Sequence, residues 1–166
     1  MPAAVAVIIA SAPDPAVLLI QRPQHVGDPW AGHWALPGGR RQAGDVDDLA
    51  TCIRETAEEV GIILERLALS RVLPVAQAGR HMGAAVAVAP FVFIMPAVPQ
   101  LVVSPREVAR TWWLPLSDLH DLRRHAWATL GQDNQRRPMI LVDDHPLWGF
   151  TYHVLCAYAE VLPPQA

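Results

Sequence analysis

Residues 39–62 read GRRQAGDVDDLATCIRETAEEVGI. Within this stretch Ala50, Ile53, Ala57 and Val60 recur at the spacing of one buried stripe, which predicts a helix over about Val46 to Val60. Asp45 is placed to cap its start, with Asp47 and Asp48 in the first turn, where the helix dipole favours negative charge. Gly61 follows as a terminator in the left-handed conformation. Off the apolar stripe, Glu55, Glu58 and Glu59 project within an arc of roughly 100°. Like charges so placed repel by about a few tenths of a kcal/mol per close pair, and Glu58 and Glu59 stand in the last turn, where the dipole disfavours anions. A bound divalent cation removes both penalties. Clustered carboxylates without Cys or paired His suit Mg²⁺ or Mn²⁺ rather than zinc. A solvated acidic face is the competing reading of the same residues. Just upstream, Pro37-Gly38-Gly39 lets the backbone approach a ligand closely, with the Gly39 carbonyl available to an ion. Arg40 and Arg41 suit bidentate contact with phosphate oxygens. Together these parts serve metal-assisted attack on a phosphate.

Composition narrows the class. Hydrophobic residues make up 52% of the 166 and charged residues 17%, which excludes a disordered tail and allows a substantial core. The formal net charge of -3 argues against a protein that grips nucleic-acid backbone. All 13 basic residues are arginine. The absence of lysine excludes a Schiff-base lysine, a Walker A phosphate loop and the kinase lysine. Cys52 and Cys156, far apart in helical segments, read as buried thiols in a reducing compartment. The apolar N-terminal stretch lacks the positive charge of a signal peptide and reads as a first strand. Pro90, Pro96 and Pro99 break the longest apolar stretch, Ala84 to Val103, so that it reads as strand plus loop rather than a membrane helix. These features together predict a cytoplasmic protein.

With no repeat and no low-complexity linker, residues 1–166 read as one domain. Ala4–Ile9 and Ala16–Gln21, separated by Ser-Ala-Pro-Asp-Pro, predict a hairpin. Further strands are expected at Trp34–Leu36 (ending at Pro37-Gly38-Gly39), Arg71–Val75, Ala84–Phe93, Glu107–Leu114 and Met139–Val142. A second helix is expected from about Trp148 to Val161. Strands interspersed with two helices predict an α/β layered domain.

The segment from Gly39 to Ile62 resembles the Nudix box: a glycine, an acidic residue, then Arg-Glu, a variable pair, Glu-Glu, a variable residue, Gly and an aliphatic. Thr56 stands at a usually aliphatic position and Asp45 where Glu is usual, with one residue more between Asp45 and Arg54 than in the commonest form. That variant is similar to the coenzyme A pyrophosphatase branch. Leu18-Leu19-Ile20 with Arg22, the run Gly32–Gly39, and Trp148-Gly149-Phe150-Thr151 also look like that branch. Glu107-Val108 with Trp113–Leu119 resembles a strand and turn common in Nudix proteins. The branch's upstream motif carries a second arginine after Arg22, and here that region reads Gly27-Asp28-Pro29-Trp30.

The resemblance implies a Nudix-type α/β/α sandwich with a mixed β-sheet and a loop-helix-loop catalytic motif. It implies Mg²⁺ or Mn²⁺ held by Glu55, Glu58, Glu59 and the Gly39 carbonyl. Arg54 would orient the glutamates and could pair with Asp45, while Glu55, and after it Glu107, are the candidate general bases. It further implies hydrolysis of a diphosphate linkage in a nucleoside diphosphate derivative, coenzyme A or its acyl esters first. A dinucleotide, a nucleotide sugar or a damaged nucleoside triphosphate comes second, and a non-catalytic nucleotide-binding regulator third. The expected partner is a small-molecule nucleotide, with neither nucleic acid nor membrane; a homodimer is admitted.

Other residues carry two readings each. Arg22, Gly38, Gly39, Arg40, Arg41 and Trp34 are candidates for substrate contact. Arg22 reads equally as a surface ion pair. Trp30, His33 and Trp34 suit base stacking or, more commonly, core anchoring. One of Trp112 and Trp113, which alternate along a strand, belongs in the core. Asp143-Asp144-His145 reads as a turn ahead of an ion site. His120 and His125 lack metal spacing. Arg123-Arg124 and Arg136-Arg137 flank Ala128–Gln135, read as a solvated loop with substrate gating as the alternative.

Overall fold

The structure is a computed structural model that describes residues 2–24, 27, 30–79, 83 and 85–164. Asp28 and Pro29, where the upstream motif departs from its pattern, lie outside the described residues, as does Ala84. Strand β1 (Ala3–Ala10) is buried along its whole length and organises the main sheet. It pairs antiparallel with β2 (Ala16–Gln21) in the predicted hairpin, with Ile9 opposite Val17. On its other side it runs parallel to β7 (Val86–Met95), eight registered pairs from Ala3–Val88 to Ala10–Met95. Sheet order is β3-β2-β1-β7-β5, with β3 at Trp34–Ala35 and β5 at Leu69–Val72. β8 (Arg110–Pro115) pairs with β2, and β6 (Ala76–Ala78) with β7.

Alternation along β1 sends its side chains to two cores. Val5, Val7 and Ile9 face one core; Ala4, Ala6 and Ile8 face the other. The second core is covered by α1 (Asp48–Val60). The first is covered by α3 (Gly149–Ala159) and by an antiparallel three-stranded sheet of β9 (Ala126–Leu130), β10 (Gln135–Val142) and β11 (His145–Trp148). A short α2 (Leu116–His120) leads into that sheet. The mixed sheet between helical layers is the predicted architecture.

Several local expectations are corrected. Pro37-Gly38-Gly39 does not end the strand region: Gly38–Arg40 forms β4, antiparallel to Ala3–Val5. Asp47, not Asp45, caps α1, accepting the Ala50 N–H at 2.7 Å. The buried face of α1 is Thr51, Cys52, Thr56, Glu59 and Val60, whereas Ala50, Ile53 and Ala57 stay partly exposed. Glu107 lies in a turn before β8, its N–H bonded to the Ser104 carbonyl at 3.1 Å. Ala128–Gln135 is a hairpin tip rather than an open loop, with strand at residues 128–130 and 135 and a turn at residues 131–134. Trp148 closes β11 and α3 begins at Gly149.

Other readings coincide with the structure. Gly61 ends α1 with φ 72 and donates to the Ala57 carbonyl at 3.1 Å. Asp143 and Asp144 make the β10–β11 turn with φ 46 and 60. Trp113 packs against the core while Trp112 is 38% exposed. Both thiols are free and buried. No helix among the described residues is long and apolar enough to cross a membrane.

Candidate active site

β4 and α1 form one unit because β1 draws β4 tightly against itself. At Gly38, φ is +149 and an added Cβ would lie 2.2 Å from the Ala4 carbonyl oxygen. The freed Gly38 N–H turns toward α1 and donates to Glu59 Oε2 at 2.8 Å. At Gly39 an added Cβ would lie 2.4 Å from Glu55 Cδ, so the glycine makes room for that carboxylate. Backbone and helix thereby set the two acids side by side.

These acids line a cavity of about 820 Å³ together with Glu107, Arg22, Arg40 and Arg106. Its lining also includes Ala76, Val86, Val88, Trp148 and Phe150, with Arg137 and His153. Glu59 is 4% exposed. Burial pushes its carboxyl up to about 8; the Gly38 N–H acts against the rise, and the charges of Glu55 and Glu107 add to it. Burial also raises Glu55, against the pull of Arg54.

Arg54 ties the acidic face together. It holds Asp45 through Nε to Oδ1 and Nη2 to Oδ2, both at 2.9 Å. Its Nη1 lies 2.9 Å from Glu55 Oε1 and 3.0 Å from Glu58 Oε2. The extra residue before Arg54 is therefore compatible with the Asp45 pair. Asp45 also accepts from the Gln42 N–H and the Thr51 hydroxyl, each at 2.9 Å. The Arg54 guanidinium holds the Asp45 carboxyl well below the usual carboxylate range.

Of the sequence candidates, Glu55, Glu59, Glu107, Arg22, Gly38, Gly39, Arg40 and Trp34 line the cavity. Glu58 does not; its side chain is 48% exposed on the outer face of α1, bonded to Arg54. Arg41 is also turned away from the cavity. Its guanidinium donates to the Asp45 and Val46 carbonyls and faces Asp48 at 3.5 Å. Trp34 is 3% exposed and its Nε1 donates to the Val142 carbonyl at 3.0 Å, the anchoring role. His125 is bonded to the Tyr152 hydroxyl and the Leu119 carbonyl.

Arg106 and His153, which line the cavity from a connection and from α3, carry no signal in the sequence, and Arg137, which stands out there only as flanking a loop, lines it from β10. The Trp148–Thr151 resemblance and the gating alternative at Arg136-Arg137 are the sequence signals for this part of the cavity.

Among the described residues, no three His, Cys, Asp or Glu side chains are gathered into a complete ion site. Arg54 accounts for part of this, since it holds Glu55 and Glu58 to itself. The donor chemistry still fits a hard divalent cation. Glu55, Glu59 and Glu107 offer only oxygen and line one cavity, where the charge of Glu107 raises the proton affinity of Glu55 and Glu59 and that of Glu55 adds to Glu59, an arrangement that an ion relieves.

The NUDIX domain family matches residues 1–132. An uncharacterized Nudix hydrolase, NudL of Photorhabdus laumondii, is 29% identical over 161 residues, 95% of this chain and 83% of that protein. An uncharacterized protein of Schizosaccharomyces pombe is 41% identical over 111 residues, 63% of this chain, of which the chain spans only 33%. A MutT/nudix family protein from Enterococcus faecalis superimposes with a TM-score of 0.66 at 19% identity, over 96% of this chain and 62% of that one, which supports the fold. Nudix enzymes generally use a divalent metal ion. With a family match over most of its length and the carboxylate helix packed on a glycine strand, the chain belongs to the Nudix family and is a Nudix pyrophosphohydrolase.

Proposed function

We propose that the protein hydrolyses the diphosphate linkage of coenzyme A or an acyl ester of it, releasing 3′-phosphoadenosine 5′-phosphate and a phosphopantetheine. The cavity carries this reading: it has about 820 Å³ and is lined by acids and arginines together with apolar side chains. Such a space suits an elongated nucleotide with a long, weakly polar arm. The upstream and C-terminal motifs that resemble the coenzyme A branch, Arg22 and Trp148–Thr151, support the same substrate and border this cavity.

Glu55 and Glu59, with the Gly39 carbonyl and with Glu58 from the outer face of α1, would hold Mg²⁺ or Mn²⁺. The ion supplies neutralisation of phosphoryl charge and a more acidic water at neutral pH. Arg22 and Arg40 hold the phosphate oxygens and the departing anion. Arg54 positions Glu55 and Glu58 by charge-assisted hydrogen bonds. Glu55 takes the proton of the attacking water, with Glu107 as the second candidate. Residues 1–166 act as one domain in the cytoplasm, on a free nucleotide rather than nucleic acid or membrane.

A substrate panel with and without Mg²⁺ or Mn²⁺ tests this reading. Coenzyme A should be cleaved only with added metal, and Glu55→Gln should lower kcat by about 10²–10⁴-fold. Inert coenzyme A beside rapid cleavage of a dinucleotide, a nucleotide sugar or an oxidised nucleoside triphosphate would move the assignment to that compound.

A further inference from the structure

Arg137 stands on β10 in the cavity wall, its guanidinium 5.5 Å above the Trp148 ring. Its side chain is only 19% exposed. Nη1 and Nη2 both donate to the Asp133 carboxylate, and Nη1 also reaches the Leu130 and Gln135 carbonyls. This end-on pair uses one fork of the guanidinium. The other fork, Nε–H with the remaining Nη2–H, has no partner among the described residues. A guanidinium offers five N–H groups in fixed geometry, and each fork matches two oxygens of a phosphate. Asp133 and Trp148 thus hold the side chain in one orientation before any ligand arrives, which lowers the ordering cost of binding.

Its partners all belong to β9–β11 and their turns, none to the group of Glu55, Glu59 and Glu107. Arg137 is therefore suited to a part of the substrate other than the scissile linkage. The segment between Arg22 and Gly32, where the resemblance leads one to expect another cation, contains no arginine or lysine.

We propose that Arg137 is a specificity-determining residue that binds a phosphomonoester of the substrate remote from the scissile diphosphate through its open fork. The choice of phosphomonoester rests on the coenzyme A reading, because that substrate's ribose carries such a group.

The test compares binding of adenosine 3′,5′-bisphosphate and AMP, by calorimetry, in the wild type, Arg137→Gln and Arg137→Lys. The wild type should prefer the bisphosphate by about tenfold, the strength of a charge-assisted bidentate contact. Arg137→Gln should bind both alike with unchanged AMP affinity, and Arg137→Lys, with its charge but no fork, should fall between. In turnover, Arg137→Gln should raise KM for coenzyme A by about tenfold with kcat nearly unchanged, and leave dephospho-coenzyme A unaffected. A preference that survives Arg137→Gln, whether or not both ligands weaken, overturns the assignment, as does a wild type that binds the two alike. If the preference behaves as expected while coenzyme A is not cleaved, the substrate reading fails and the role of Arg137 stands.

Discussion

Glu59 is a carboxyl group packed into the underside of a helix, with one backbone N–H and several negative neighbours for company. Its folded value of about 8 lies above the ordinary 4.5. Between those values the folded chain keeps a proton that the unfolded chain has released. The stability of the ion-free protein therefore falls as pH rises through that window, by up to about 1.4 kcal/mol per unit. Thermal melts without metal should show the melting temperature dropping from pH 5 to pH 8. Glu59→Gln should flatten the profile, and Mg²⁺ or Mn²⁺ should raise the wild-type melting temperature more at pH 8 than at pH 5. A wild-type profile as flat as that of the variant contradicts this account of Glu59. The burial itself was not legible in the sequence. Period counting put the three glutamates on one outward arc, because it took Ala50, Ile53 and Ala57 for the inner face. Thr51, Cys52 and Thr56 are buried there beside Val60, while Ile53 is partly buried against the same core, and Thr56 donates its hydroxyl to the Cys52 carbonyl at 2.8 Å.

At the level of elements, the pairing of β4 with α1 is where activity is most sensitive to small change. Gly39→Ala places a methyl group where the Glu55 carboxyl now lies. The neighbour that must move is the end of a flexible side chain, so the fold should tolerate the change while the acid leaves its position. The expected result is a fall in kcat of about 10²-fold with little change in melting temperature, read by steady-state kinetics beside a thermal melt. A melting temperature that drops in step with activity would instead make Gly39 a folding requirement. The helix and its Gly61 stop were legible because amphipathic periodicity and a left-handed terminator are local signals. β4, β9 and β11 were not. Each is short or contains Gly, His or Pro, and forms only because a distant partner supplies its hydrogen bonds.

Across the molecule, polar contacts from Trp34 and Arg110 help fasten the three-stranded sheet to the main one. Trp34 Nε1 bonds the Val142 carbonyl, and Arg110 lies 4.9 Å over the Trp34 ring while reaching Gln21, Asp143 and His145. Arg110→Ala should loosen that junction. Amide exchange in β9–β11 should accelerate about tenfold while β1 and α1 keep their protection; uniform acceleration would show that the two sheets open together. Arg137 rides on this sheet, which explains why this part of the cavity escaped a reading based on the box: the residues that complete it are about a hundred positions away in sequence. The two thiols illustrate the same division. Cys52 is sealed beneath α1 and its thiol is pushed up to about 12, while Cys156 is sealed beneath α3 in the opposite core. Each layer thus carries a single silent sulfhydryl, and the speed with which an alkylating reagent finds one or the other distinguishes a breath of the catalytic half from a breath of the hairpin half.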